Sequence, residues 1–282
     1  MSSLEVSLLR AGYCVHPEII AMRNGSFQLR EFPAMAALIK HPEKGYILFD
    51  SGYTRRFFTE TARWPFSLYG HITPVYLKKG ESITEQLHLQ GIEANQVRYI
   101  LLSHFHADHI GGCRDFHSAT FVAHQEAFAT VKSLTGMRAL RAGFIKALLP
   151  EDFESRLVTL KDSQAIKLPE LHRPFEYGFD VFEDKTLFLV KLPGHTTGQM
   201  GLIIPESSTG GYFFIADACW QKASFRKLIP PHWLARFITA DWKEYLQTLH
   251  RVHEYAGNHP HIAVVPSHCK ETLEDMFNAA RG

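Results

Sequence analysis

The chain has 282 residues, 45% of them hydrophobic, and is therefore long enough to bury one large core or two modest ones. Its 30 Lys and Arg residues nearly balance 29 Asp and Glu residues, which gives a formal charge of +1. This balance excludes a global field that would draw the protein to nucleic acid or to an anionic membrane.

The N-terminal sequence and the cysteines indicate the compartment. MSSLEVSLLRAGYC has no basic segment followed by a long apolar one, and no window approaches the roughly 20 apolar residues of a spanning helix. The four cysteines form no C-x-x-C pair, which predicts reduced thiols rather than disulfides or a cysteine zinc site. We therefore expect a soluble, cytoplasmic protein.

The first predicted elements are two strands joined by a turn. In AALIKHPEKGYILFDSG, apolar runs flank Pro-Glu-Lys-Gly at 42–45, which is typical of a hairpin. Ser82 and Glu85 form a capping box for a helix that runs through Leu89 and is terminated by Gly91. The run QVRYILLSH then predicts a buried strand whose C-terminal end delivers His104.

Later apolar runs predict further strands, each followed by a polar or histidine-bearing loop, at 119–123, 186–192, 200–204, 212–216 and 262–265. Asp241 and Glu244 predict a second capping box and a helix. Residues 1–282 contain no linker or repeat that would divide them, so we expect a single domain of strands with helices outside. The basic, helical character of 131–180 suggests an insertion or lid within it.

The segment SHFHADHIGG at 103–112 has three histidines and one aspartate within six residues. Imidazole nitrogens and carboxylate oxygens bind zinc and similar ions, and His104 and His106, on alternate residues, can point at one ion. Asp108 and His109 are offset from that pair and are expected to face a second ion. A polar turn without metal is the alternative, but the density of the pattern favours a metal site.

Two ions need further ligands, and three candidates follow apolar runs at their C-terminal ends. His195 lies in KLPGHTTGQM, Asp217 in YFFIADACW and His268 in VVPSHC. Any one of these alone would more often be an ordinary surface or core residue. The repeated placement predicts the ligand role.

In this order and setting, the seven candidates resemble the ligands of the metallo-β-lactamase superfamily, and the resemblance covers nearly the whole chain. It implies an α/β fold, a four-layer αββα sandwich with the metal site at one edge of the two sheets. It assigns His104, His106 and His195 to one metal ion, Asp108, His109 and His268 to the other, and Asp217 to a bridge between them. Asp50 in ILFDSG matches a strand-end aspartate that orients the ligands in this family, with a turn aspartate as the alternative.

The implied chemistry is hydrolysis, because two divalent ions about 3.5–4 Å apart lower the pKa of a shared water toward neutrality. The metal-bound hydroxide would be the nucleophile, so no serine or cysteine nucleophile is needed, and Asp108 would carry a proton to the leaving group. Within the superfamily, His106 disfavours the flavodiiron type, and His109 with Asp217 disfavours the commonest β-lactamases. Ala216 before Asp217 differs from the Gly-Asp usual in glyoxalase II.

The segments LLRAGYCVHPE, ILFDSGY, SHFHADHIGG and LPGHTTGQMGLII are similar to N-acyl-homoserine lactone lactonases. That group has a substrate-binding tyrosine three residues after the bridging aspartate, where this chain has Trp220. An indole N–H donates but does not accept, so either the substrate differs or another group, such as Tyr53, takes the role.

Two aromatic stretches, 55–76 and 220–237, are expected to be loops that form an apolar channel for a substrate tail. Packing in an outer core or in a homodimer face is the alternative. The substrate-binding candidates are Trp220, Tyr53, Phe57, Phe58, Trp64 and Trp233.

Together these features predict a cytoplasmic dinuclear hydrolase that opens a lactone or related ester of a hydrophobic small molecule, with Asp108 and Asp217 as catalytic residues. We expect two zinc ions, although the same ligands accept iron, manganese or cobalt. The alternatives are a phosphodiesterase or thioesterase on the same scaffold, a metal-bearing ligand-binding regulator, and a mononuclear iron oxygenase. No nucleic-acid or membrane partner is expected. Formation of a homodimer is an open alternative to a monomer.

Overall fold

The structure is a computed structural model that describes residues 3–279. Its strands are β1 (Glu5–Pro17), β2 (Leu29–His41), β3 (Gly45–Phe49), β4 (Val75–Tyr76), β5 (Val97–Leu101), β6 (Thr120–His124), β7 (Leu157–Leu160), β8 (Ile166–Lys167), β9 (Tyr177–Asp180), β10 (Phe188–Lys191), β11 (Met200–Ile204), β12 (Gly211–Ala216) and β13 (Ile262–Pro266). Its α-helices are α1 (Arg55–Glu60), α2 (Ser67–Ile72), α3 (Ile83–Leu89), α4 (Ala107–Ile110), α5 (Gln125–Val131), α6 (Gly136–Arg141), α7 (Lys222–Lys227), α8 (Trp242–Asn258) and α9 (Lys270–Ala279).

The chain forms two compact units, each built from two segments of sequence. The first unit consists of the N-terminal segment up to His16 and of Glu31–Thr159. The second consists of Pro17–Arg30 and of the chain from Leu160 onward. The single domain over 1–282 remains a prediction.

The first unit contains a seven-stranded sheet in the order β4-β1-β2-β3-β5-β6-β7. The predicted hairpin is confirmed, since β2 and β3 pair antiparallel and His41 lies opposite Gly45. Strands β3, β5 and β6 are parallel, so their carboxyl ends lie at one edge of the sheet. Asp50 directly follows β3, and His104 follows β5 after two residues, which places both at that edge.

The second unit contains a six-stranded sheet in the order β13-β12-β11-β10-β9-β8. Strands β8 to β12 pair antiparallel in sequence order, and β13 is parallel to β12. Strands β10, β12 and β13 therefore run in the same direction. The predicted ligands His195, Asp217 and His268 follow the carboxyl ends of these three strands.

Short motifs predicted the start of two helices correctly: the full capping box is present at α3, and at α8 the structure shows the N-cap hydrogen bond of the predicted box. At α3, Ser82 Oγ accepts a hydrogen bond from the Glu85 backbone N–H, and the Glu85 carboxylate accepts one from the Ser82 backbone N–H at 3.2 Å. At α8, the Asp241 carboxylate accepts from the Glu244 backbone N–H at 2.9 Å, which makes Asp241 the predicted N-cap. Each motif satisfies N–H groups that the first helical turn leaves without a partner.

The expectation that both aromatic stretches are loops is wrong for much of their length. Residues 55–76 contain α1, α2 and β4, and residues 220–237 contain α7 and a 3₁₀ turn at Trp233–Phe237. Neither α1 nor α2 has a side-chain hydrogen bond at its N-cap, so the capping signal that predicted α3 was missing. The side chain of Phe237 lies outside the described part of the structure.

Residues 131–180 are only partly helical. They contain α6, short 3₁₀ turns and the strands β7, β8 and β9. The role of this stretch as an insertion or lid remains a prediction.

All four cysteines are buried and free, as predicted for reduced thiols. Burial raises the pKa of Cys113 to about 12, so its thiol stays protonated and packs as an apolar group. None of the helices within residues 3–279 is long and apolar enough to cross a membrane.

A buried histidine in the second unit makes stability depend on pH. His172 is 1% exposed, packs against the Phe188 ring and lies 3.5 Å from the Tyr255 hydroxyl. Burial, with a contribution from the charge of His259, lowers the pKa of His172 from 6.5 to about 4. The folded chain therefore keeps this ring neutral at pH values where the unfolded chain protonates it.

We expect His172→Gln to flatten the dependence of stability on pH between 6.5 and 4. In the wild type, the unfolded state gains a proton in this window that the folded state lacks, so stability falls as pH falls. The contribution of His172 to the change in the free energy of unfolding is at most roughly 3 kcal/mol, since one pKa unit is worth about 1.4 kcal/mol. Urea unfolding at several pH values measures it, with the exposed His88→Gln as control. Equal pH profiles for wild type and His172→Gln would contradict the prediction.

Candidate metal centre

In the first unit, the four predicted ligands of SHFHADHIGG lie together after β5. The His104 ring centroid is 4.6 Å from that of His106 and 4.0 Å from that of His109. His104 and His106 offer ring nitrogens within 4.8 Å of each other, and Asp108 and His109 likewise offer a carboxylate oxygen and a nitrogen. His104, Asp108 and His109 are buried. Such burial of polar groups is costly unless each one is bonded or coordinated.

Asp50 organises this part of the site. It is fully buried, and its backbone has a φ of 63°, the left-handed region that aspartate tolerates better than most residues. Its Oδ1 accepts from the Ser103 backbone N–H at 2.8 Å. Its Oδ2 accepts from the Ser103 hydroxyl at 2.8 Å and faces His109 Nδ1 at 2.7 Å.

These hydrogen bonds fix which ring nitrogens carry protons. The Asp50 carboxylate only accepts, so His109 Nδ1 donates to it. The single proton of the Ser103 hydroxyl points to Asp50, so Ser103 Oγ accepts from His104 Nδ1 at 3.0 Å. Both imidazoles then present Nε2 as a lone pair, the form that binds a metal ion. The arrangement fits a metal site.

In the second unit, Asp217 lies between two histidines. His195 Nε2 is 3.2 Å from Asp217 Oδ2, and His268 Nε2 is 3.1 Å from Asp217 Oδ1. All three residues are buried. One carboxylate thus faces a different imidazole with each of its oxygens, an arrangement expected of a bridging ligand.

The loop that carries His195 is held by the two residues before α8 and by the start of that helix. The backbone N–H groups of Ala240 and Asp241 donate to the carbonyls of His195 and Gly194, each at 3.0 Å. Gly194 has a φ of 124°, and a Cβ there would lie 2.2 Å from the backbone nitrogen of Tyr245. Burial, with the nearby Cys219 and Asp217, raises the pKa of Tyr245, so its phenol stays neutral.

Sequence reasoning missed several residues that shape the site. Ser103 sets the His104 tautomer but is a common residue with no motif of its own. Gly143 lies against the His106 ring, where a Cβ would be 2.6 Å from His106 Cδ2. The Trp220 indole N–H donates to Asp217 Oδ2 at 3.0 Å, whereas its sequence position had suggested a substrate contact. Only the 217–220 spacing could have signalled this bond.

The remaining substrate-binding candidates differ in exposure. Tyr53 and Phe57, each 1% exposed, pack against each other in the core of the first unit, which favours a packing role. Phe58, Trp64 and Trp233 are 41%, 70% and 59% exposed. Trp220 lines a small cavity of the second unit with His195 and Tyr245. Substrate contact by any of them remains a proposal.

The sequence pattern of the metallo-β-lactamase superfamily matches residues 29–254. The N-acyl homoserine lactonase AiiB of Agrobacterium fabrum is 24% identical over 259 residues, which cover 91% of this chain and 87% of that protein.

Solved structures agree in fold. An N-acyl homoserine lactone hydrolase with the product N-hexanoyl-L-homoserine bound at its catalytic metal centre has a TM-score of 0.74 at 18% identity, covering 98% of this chain and 97% of that one. The dizinc quorum-quenching lactonase AidC has a TM-score of 0.63 at 16% identity, and the match covers 96% of this chain and 89% of that one. The fold class predicted from the sequence is therefore confirmed.

We expect Asp50→Asn to weaken metal binding about 10- to 100-fold, as the loss of a group that orients a ligand usually does. Asparagine tolerates the positive φ of this position, so the backbone is preserved while one acceptor oxygen becomes an N–H donor facing His109. Titration against a chelator measures the affinity, with the exposed Asp184→Asn as control. Unchanged affinity would show that Asp50 does not orient the ligands.

We expect Gly194→Ala to lower the thermal midpoint of unfolding well below that of Gly210→Ala. Both glycines have positive φ, 124° and 108°, but only Gly194 faces backbone atoms, whereas no atom lies within 4 Å of a Cβ at Gly210. The difference between the two midpoints isolates the contact between residue 194 and α8. A loss of about 1–3 kcal/mol in the free energy of unfolding is typical of overpacking. Equal midpoints for the two variants would be inconsistent with this contact.

Proposed function

Because the chain belongs to the metallo-β-lactamase superfamily and is a metal-dependent hydrolase, we propose that it opens the ring of a lactone with a hydrophobic acyl group, such as an N-acyl homoserine lactone. The observation that carries the proposal is the likeness to the lactonase AiiB along 91% of the chain. Two relatives of the same fold, one with a bound acyl-homoserine product and one dizinc, support it. Opening such lactones would make the protein a quorum-quenching enzyme.

We propose that the predicted ligands of the two units together bind two divalent ions, most simply zinc. His104, His106 and His195 would hold one ion, Asp108, His109 and His268 the other, and Asp217 would bridge them. The tautomers of His104 and His109 support this assignment, as does the placement of a histidine at each oxygen of Asp217. The donor set of imidazole and carboxylate suits zinc but also iron, manganese and cobalt.

When bound, such ions lower the pKa of a shared water and polarise the carbonyl of an ester. The residues of the chain supply orientation and proton transfer. Asp108 is buried but keeps 10% of its side chain accessible, and His109 Nε2 lies 3.4 Å from its Oδ2. Asp108 would hold the proton that the leaving alkoxide of the opened lactone takes up. Asp50 and Ser103 would keep the histidines in the ligating tautomer throughout.

The apolar part of the substrate would lie against exposed aromatic rings. Phe58 and Trp64 of the first unit and Trp233 of the second each leave a large part of the side chain accessible. Aromatic rings bury much apolar area at a low cost in side-chain entropy, which suits binding of an acyl chain. Cytoplasmic location and homodimer formation remain predictions.

Asp217→Ala should lose metal and turnover together. Removing the carboxylate leaves His195 and His268 without the group that both rings face. Elemental analysis of purified protein, beside a pH-indicator assay on short-chain and long-chain acyl homoserine lactones, measures both effects, with the exposed Asp184→Ala as control. Two metal ions per wild-type chain and proton release on lactones are the expected results.

Other outcomes would change the assignment in defined ways. Unchanged metal content in Asp217→Ala would contradict the bridging role. Two metal ions in a wild type that leaves all lactones intact would overturn the proposed substrate and direct the assay to thioesters and phosphodiesters. A single iron would overturn the dinuclear mechanism.

A further inference from the structure

Trp220 makes a polar contact with Asp217. Its indole Nε1 donates to Asp217 Oδ2 at 3.0 Å, the same oxygen that lies 3.2 Å from His195 Nε2. The two residues are separated by only Ala218 and Cys219, both buried, in the turn between β12 and α7. The hydrogen bond therefore joins the two ends of a packed turn.

The indole ring is held on two sides. It packs edge-on against the His268 ring, with centroids 4.9 Å apart and an interplanar angle of 62°. It also lines a cavity of about 20 Å³ with His195, Tyr245 and apolar residues of 20–21 and 231–238. A cavity of this size leaves little room for the ring to turn, so the direction of its N–H is set by packing.

We infer that Trp220 is a positioning residue that fixes the orientation of the Asp217 carboxylate for metal binding. A hydrogen bond from a neutral donor to a buried carboxylate is charge-assisted and stabilises the ionised form. By engaging Oδ2, the indole N–H restricts rotation of the carboxylate and keeps Oδ1 directed toward His268. The inference rests on the proposed metal centre, because it concerns the ligand that would bridge the two ions.

This role has a consequence for the substrate. Indole has one N–H and no acceptor, so a proton donated to Asp217 is not available to a substrate oxygen. Position 220 then contributes only its ring to substrate binding. The sequence comparison had left open whether the tryptophan replaces a substrate-binding tyrosine, and the geometry points to a different task.

Two variants separate the N–H from the ring. Trp220→Phe keeps an aromatic ring but removes the donor, whereas Trp220→Gln keeps an N–H donor of similar reach but removes the ring. We expect Trp220→Phe to bind zinc and cobalt about 10- to 100-fold more weakly than wild type, as is usual when a group that supports a ligand is lost. We expect Trp220→Gln to recover most of that affinity. For metal affinity alone, the control is Trp233→Phe, because this exposed tryptophan is proposed to contact the acyl chain and not the metal ligands.

The readouts are the dissociation constant for each metal, from competition with a chelator, and the visible spectrum of the cobalt-loaded protein. Thermal unfolding without metal identifies a variant that has lost its fold. If Trp220→Phe does not fold, the metal affinity of Trp220→Gln alone tests the inference. Wild-type affinity in Trp220→Phe would overturn the inference, as would equal weakening in both variants, which would assign the effect to ring packing. A raised KM for lactone with unchanged metal affinity would assign Trp220 to the substrate. A wild type that binds no metal would refute the proposed centre instead.

Discussion

Each unit of this protein contains a carboxylate that is buried with the imidazoles it faces. Asp50 and Asp217 are at most 2% exposed, and a buried charge is tolerated only when hydrogen bonds or ion pairs replace its water. Asp50 accepts from Ser103 and His109, and Asp217 accepts from Trp220 while facing two histidines. The tautomers of His104 and His109 follow from the contacts of Asp50 and Ser103.

Strand direction explains why the ligands meet these carboxylates. In each sheet, the strands that precede candidate ligands run in the same direction, so polar residues from distant parts of the chain emerge at one edge. Two strand ends turn sharply, with φ of 63° at Asp50 and 48° at Ala216. Alanine in the left-handed region is unusual, and such strain is retained where the surroundings over-determine the backbone. At Ala216, the turn directs the next residue, Asp217, toward its histidines.

The structural features that the sequence predicted correctly depend on neighbouring residues or on a dense motif. The β2–β3 hairpin, the Ser82 cap and the strand before His104 depend on nearest neighbours, and SHFHADHIGG is dense enough to stand out. Features that depend on contacts between distant residues could not be predicted from the sequence. The burial of Tyr53 depends on packing that no local signal encodes, and the acceptor of the Trp220 N–H depends on a turn conformation. The helices α1 and α2 lack capping side chains, and the division into two units has no linker to mark it.

The burial of all four cysteines has a practical consequence for spectroscopy. Thiol reagents attack the thiolate of an accessible cysteine, and these side chains offer neither access nor, at Cys113 and Cys219, a pKa near neutrality. A cysteine introduced on the surface would then be the first to react with a maleimide dye or a spin label. Pairs of such labels, one in each unit, would report distances between the units in solution without prior removal of the native cysteines.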